Sequence, residues 1–187
     1  MNASTWTIDG THSQVEFAVK HMMFTTVRGR FADFEGVVEM DPDTPERSSV
    51  EVEIGARSID TQVDARDQHL RSADFFDVEK YPTITFRSKR VEGDVGKPGS
   101  TFTVVGDLTL HGVTREVVLN ATFDGTGPDP WGNSRAGFSA ETTLDRRDFG
   151  LTWNQGLEAG GVLVGHDVKI RLVVQAVKEQ LVEVAAD

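Results

Sequence analysis

The segment TFTVVGDLTLHGVTREVVLNATF, residues 101–123, alternates apolar and polar positions on both sides of His111-Gly112. A two-residue connection between two period-two runs reads as a β-hairpin. The same alternation extends along the chain in both directions. Upstream, STWTID sets Trp6 and Ile8 on one face, and SQVEFAVKH sets Val15, Phe17 and Val19 opposite Gln14, Glu16 and Lys20. VRGRFADFEGVVEM changes parity between Phe31 and Phe34, which predicts a bulge or bend. After the turn-rich DPDTPERSS, VEVEIGARS aligns Val50, Val52, Ile54 and Ala56, and TITFRS carries Ile84 and Phe86. Downstream, the loop DGTGPDPWGNSR leads to AGFSAETTLD. The last run, VLVGHDVKIRLVVQAVK, places Val164, His166, Val168, Ile170, Leu172, Val174 and Ala176 on one face.

These runs amount to about eight antiparallel strands, several longer than a compact sandwich requires. Glycines at positions 29, 36, 55 and 106 fall inside strand patterns, where a sheet must bend sharply. Long strands, bends and almost no helix favour an all-β fold, a closed barrel. A barrel of this size either fills with side chains or holds one slender ligand. The 187 residues suit one domain, with no boundary, repeat or low-complexity tract. Residues 1–187 are therefore read as a single barrel, with residues 180–187 of the KEQLVEVAAD tail fraying or forming a short helix.

Composition excludes several functions. The net charge of −11 repels phosphate backbones and anionic surfaces, so no nucleic-acid partner is expected. No apolar run approaches the ~20 residues of a spanning helix. The absence of cysteine removes thiolate catalysis and cysteine-ligated zinc. MNASTWTIDG has neither a basic nor an apolar leader region, which points to a cytoplasmic location. The five histidines show no H-x-x-x-H or H-E-x-x-H spacing, so neither a metal nor a cofactor is expected. The D-F-G triplet in RRDFGLTW lacks every companion of a kinase magnesium site, and Arg146 or Arg147 pairing with Asp148 at a barrel rim is the simpler expectation. The glycine-rich GLEAGGVLVG precedes a strand and does not fit a phosphate loop.

One stretch departs from the β pattern. Residues 64–80 predict a short helical insertion, with Asp64 as N-cap and Asp67 and Arg71 at i,i+4. Ser72 is placed to cap a second turn bearing Phe75 and Phe76, and Pro82 starts the next strand. Leu70, Phe75 and Phe76 have apolar surface to bury if this insertion covers a barrel end. The density of His69, Asp74 and Asp77 leaves an acid–base enzyme acting on a lipophilic substrate as an alternative reading.

Four stretches together resemble the YceI-like family of polyisoprenoid-binding proteins. They are HSQVEFAVKHMMFTTVRGRF (12–31), HLRSADFFDVEKYPTITF (69–86), VVGDLTLHGVTREVVL (104–119) and AGFSAETTLDRRDFGLTW (136–153). The resemblance implies a lipocalin-like antiparallel barrel that binds, stores or transports a long-chain lipid: a polyprenol, an isoprenoid quinone, or a related fatty amide or acid. It implies no catalytic residue. Many relatives carry a signal peptide; none is expected here from MNASTWTIDG. The candidate cavity-lining residues are Phe17, Val19, Phe34, Ile54, Phe75, Phe76, Phe86, Val104, Leu108, Phe138, Leu144, Ile170 and Leu172. Arg57, Arg71, Tyr81 and Trp153 are the candidates for a cavity mouth or head-group site. A filled barrel acting as a stress-related interaction protein would need the same apolar pattern. A homodimer formed through barrel flanks is compatible with every reading.

Overall fold

The computed structural model describes residues 3–41 and 43–179. The expectation for the 180–187 tail lies outside the described residues. The strands are β1 (Ser4–Ile8), β2 (Gln14–His21), β3 (Thr25–Phe31), β4 (Phe34–Met40), β5 (Ser49–Gly55) and β6 (Ile59–Asp60), followed by helix α1 (Asp64–Arg71). After the helix come β7 (Thr83–Gly93), β8 (Thr101–Leu110), β9 (Val113–Pro128), β10 (Ser134–Asp145) and β11 (Val164–Lys178). The sheet runs β1-β4-β5-β7-β8-β9-β10-β11-β2-β3-β6, and a further β1–β11 pairing closes it.

Several of these strands are halves of one bent stave. β1 and β2 both pair with β11, at Ile8↔Ala176 and Val15↔Leu172. Between them Ser13 substitutes for the ladder: its hydroxyl accepts from the Gln175 N–H and donates to the Gln175 carbonyl. β3 and β4 pair with β2 and β1 respectively, and the two-residue break between Phe31 and Phe34 is the bend that the parity change predicts. Merging these halves, and β5 with β6, gives an eight-stave up-and-down barrel of lipocalin-like form. Closure gives every stave two neighbours, although the outer part of β3, residues 25–29, pairs with β2 alone among the described residues.

The β8–β9 hairpin shows why the alternation could be read directly. His111 and Gly112 have φ of 52° and 74°, the left-handed pair that a tight two-residue hairpin demands. Gly112 is fixed there twice over, because a Cβ would fall 2.5 Å from the Tyr81 ring. Gly106 answers a different need. A Cβ there would sit 2.5 Å from the Arg87 carbonyl oxygen and 2.6 Å from the Phe86 ring. Gly106→Ala is expected to cost about 1–3 kcal/mol through overpacking, read as a lower urea midpoint with unchanged slope.

One barrel end is capped. It gathers the β2–β3 turn, α1 with the turns up to Tyr81, the β8–β9 turn, and the β10–β11 connection with its 3-10 turn Arg146–Phe149. Helix α1 is shorter than predicted and differs in its contacts. Val63 is the N-cap and no side chain caps the helix, so Asp64 is simply its first residue. Asp67 does not pair with Arg71. It is buried, and its carboxylate accepts from the Thr61 N–H (2.9 Å) and hydroxyl (2.5 Å). Arg71 donates instead to the carbonyls of Arg57 and Ile59, each at 2.8 Å. Burial at the barrel end outweighs the weak pairing available on a solvated helix face.

At the opposite end Arg135 ties three segments together. It donates to Asp129 (2.9 Å), Asp9 (2.7 Å) and the Gln175 side chain (2.6 Å). The Thr11 hydroxyl and then Arg135 hold the Asp9 carboxyl well below the usual carboxylate range. Arg135, with Asn133, does the same for Asp129. Lowered folded-state values mean stabilisation that is complete above the unfolded pKa, about 3.9, and lost as pH falls toward the folded value. Arg135→Gln is therefore expected to lower the melting temperature at pH 7 and to flatten its decline between about pH 4 and pH 1. Thermal melts across that range check both effects.

Candidate functional site: the barrel cavity

The barrel is hollow. A cavity of about 310 Å³ runs through it, within the usual range for small-molecule sites. All thirteen residues proposed from the sequence as apolar lining border it: Phe17, Val19, Phe34, Ile54, Phe75, Phe76, Phe86, Val104, Leu108, Phe138, Leu144, Ile170 and Leu172. Alternation along each strand delivers these side chains to one face, and barrel closure turns that face inward. Small residues at Ala121 and Ala140 keep the middle of the barrel open.

The capped end forms the cavity floor. Phe149 and Leu151, 2% and 4% exposed, border it beside Leu70, Phe75 and Phe76. Sequence periodicity misses Phe149 and Leu151, because a 3-10 turn and the residues after it carry no strand alternation. Phe102 and Leu119 also border the cavity; Phe102 shares strand parity with Val104 and Leu108, whereas the sequence reading assigns no residue of β9 inward. His166 does not border it, although Val164 and Val168 do. A β-bulge between those two valines breaks the alternation that sets His166 on their face in the sequence.

The polar lining is sparse: Gln14, Ser48, Ser49, Thr142 and Arg146. Arg146 is 5% exposed, and no ion pair reaches it among the described residues. Its guanidinium donates to the carbonyls of Leu151 (2.5 Å), Gly165 (2.8 Å) and Val164 (3.3 Å). It thereby satisfies the Val164 and Gly165 carbonyls at the bulge and the Leu151 carbonyl after the 3-10 turn, while desolvation lowers its pKa. The expected rim pairing with Asp148 is not formed. Arg147 instead grips Asp145 at 2.6 and 3.0 Å, and holds the Asp145 carboxyl down at about 2.

None of the four mouth candidates borders the cavity. Arg57 is exposed and pairs with Glu79. Arg71 anchors α1 to backbone carbonyls, as described above. Tyr81 meets the His111 ring edge-on, with centroids 4.7 Å apart. Trp153 packs edge-on against His69 (4.7 Å) and against Phe75 (5.2 Å), holding the cap from outside. The expected mouth residues instead brace the capped end, the two arginines through polar contacts and Tyr81 and Trp153 through ring packing. His69, Asp74 and Asp77 also stand apart from the cavity; His69 Nε2 meets Asp74 at 2.8 Å on the outer surface.

Architecture and interior together define a lipocalin-like barrel with an apolar central cavity. The profile of the YceI-like domain matches residues 6–176, and the chain belongs to that family. A UPF0312 protein of Vibrio cholerae is 45% identical over 152 residues, covering 80% of this chain and 79% of its own. One from Pectobacterium atrosepticum is 40% identical over 172 residues, covering 92% and 84%. Among solved structures, the YceI protein of Campylobacter jejuni is 30% identical with a TM-score of 0.72, covering 86% of this chain and 90% of that one. BcnA of Burkholderia cenocepacia (TM-score 0.77, 23% identical, coverage 90% and 98%) shares the fold. So does a polyisoprenoid-binding domain from Saccharophagus degradans (TM-score 0.68, 17% identical, coverage 93% and 98%).

Proposed function

We propose that this protein binds one long-chain, isoprenoid-type lipid in the barrel and carries or stores it without chemical change. The observation that carries the reading is the continuous cavity of about 310 Å³ lined almost wholly by apolar side chains. Each buried CH₂ gains roughly 0.8 kcal/mol, so about ten carbons supply ~8 kcal/mol before ordering costs. A net gain of that size corresponds to about micromolar binding, and ordering costs must be met by further buried carbons. The name of the Saccharophagus neighbour, a polyisoprenoid-binding domain, supports the same ligand class. The placement of His69, Asp74 and Asp77 outside the cavity weighs against acid–base chemistry on such a ligand.

Delipidated protein is expected to take up a tritiated polyprenol or isoprenoid quinone with one-to-one stoichiometry, measured by gel filtration after detergent removal. Uptake no greater than that of a control protein of similar size would defeat the proposal.

A further inference from the structure

The β2–β3 turn lies outside the cavity, and its chemistry differs from that of the strongly acidic chain around it. Met22, Met23 and Phe24 form its tip and are 38%, 60% and 71% exposed. Both methionines occupy left-handed backbone, with φ of 51° and 71°, which disfavours any residue bearing a Cβ. Glycine would relieve that strain, yet two thioethers and a phenyl ring are presented to solvent here. The tip is also braced. The Met22 N–H donates to the Leu163 carbonyl at 2.8 Å, and the Met23 side chain lies so close to Gly161 that a Cβ there would be 3.1 Å from Met23 Cγ.

Its shoulders are basic. The segment KHMMFTTVRGR, residues 20–30, carries Lys20, Arg28 and Arg30 and no carboxylate, in a chain of net charge −11. Lys20 Nζ donates to the Thr26 hydroxyl at 3.1 Å, and Arg30 pairs with Asp60. The chain as a whole repels anionic surfaces, but salt screens charges beyond about 8 Å, so at contact the local basic groups govern. An exposed apolar wedge between basic side chains then matches the interface of an anionic bilayer, with acyl chains below and phosphates above. His21 pairs with Val164, and Val164 and Val19 both border the cavity, so the tip stands at the capped end of the barrel, beside the cavity floor.

We propose that Met22, Met23 and Phe24 dock the protein on bilayers containing anionic phospholipid, with Lys20 and Arg28 against the headgroup phosphates. Docking of this kind does not require a ligand in the cavity, so it can be tested apart from lipid uptake. The full-length protein is sedimented with phosphatidylcholine vesicles containing about 30% phosphatidylglycerol, and with phosphatidylcholine vesicles alone. Binding is expected on the anionic vesicles and at least roughly tenfold weaker on the neutral ones. Met23→Ser/Phe24→Ser is expected to lose binding by at least about tenfold, and Lys20→Ala/Arg28→Ala to lose the preference for anionic vesicles.

Circular dichroism confirms that these variants fold. If the serine pair does not, Phe24→Trp supplies a second reading: its fluorescence should be quenched by brominated phosphatidylcholine in anionic vesicles. Wild-type protein left in the supernatant with both vesicles would overturn the proposal, as would undiminished binding by the folded serine pair. A wild-type dimer that the serine pair converts to monomer, without vesicle binding, would also overturn it and assign the tip to a second copy of the chain. Vesicle binding without polyprenol uptake would leave this proposal standing and defeat the cavity reading.

Discussion

Ala140→Trp is expected to leave the barrel folded and to weaken polyprenol uptake by at least about tenfold, a loss of roughly 1.4 kcal/mol or more. Ala140 borders the cavity at mid-barrel, where β10 pairs with β11 at Leu172 and with β9 at Ala121. Two alanines in register at that height leave the passage that a slender ligand needs. An indole grown from one of them occupies that passage. Because it extends into empty space, the overpacking cost stays near or below the usual 1–3 kcal/mol. Uptake is measured by the gel-filtration assay, and folding by far-UV circular dichroism and thermal melting. Unimpaired uptake by the folded variant would mean that the ligand lies elsewhere.

Phe149→Ala carries the largest expected stability effect. Phe149 is 2% exposed, packs within the main core, and closes the cavity floor from the 3-10 turn Arg146–Phe149. Truncating a buried phenylalanine costs about 3–5 kcal/mol in transfer and cavity terms. For a domain of this size, that lowers the melting temperature by about 2–4 °C per kcal/mol. His111 Nδ1 lies 3.2 Å from the Phe149 carbonyl oxygen and ties the turn to the β8–β9 hairpin, so the backbone has little freedom to collapse into the void. A loss below about 1 kcal/mol would show that the floor is looser than its burial indicates.

The parts of this fold that the sequence discloses are those where one local rule acts alone. Alternation around His111-Gly112 specifies two strands and the left-handed turn between them. The parity change between Phe31 and Phe34 specifies a bend. Inward lining residues follow from strand parity wherever the strand is regular, and fail at His166, where a bulge intervenes. Closure is less legible, because β1 and β2 share β11 through a serine side chain that stands in for a missing ladder.

The cap is least legible of all. Asp67 and Arg71 have helix-surface spacing, yet both turn to the barrel end, where buried partners are worth more. The same competition explains the head-group candidates. Arg57, Arg71, Tyr81 and Trp153 lie near the insertion, but they brace it from the outer side. Arg146 is charged and borders the cavity, and its guanidinium is spent on three backbone carbonyls. Whether the barrel is hollow or filled rests on summed side-chain volumes around it, with Ala121 and Ala140 decisive, and a one-dimensional pattern does not encode that sum.

The most direct test of the central claim is organic-solvent extraction of protein purified from its native cells without detergent, followed by mass spectrometry of the extract. A long-chain isoprenoid-type lipid recovered near one equivalent per chain, and lost from Ala140→Trp, is the predicted result. An extract free of lipid, from protein that also takes up no polyprenol or quinone, would contradict it.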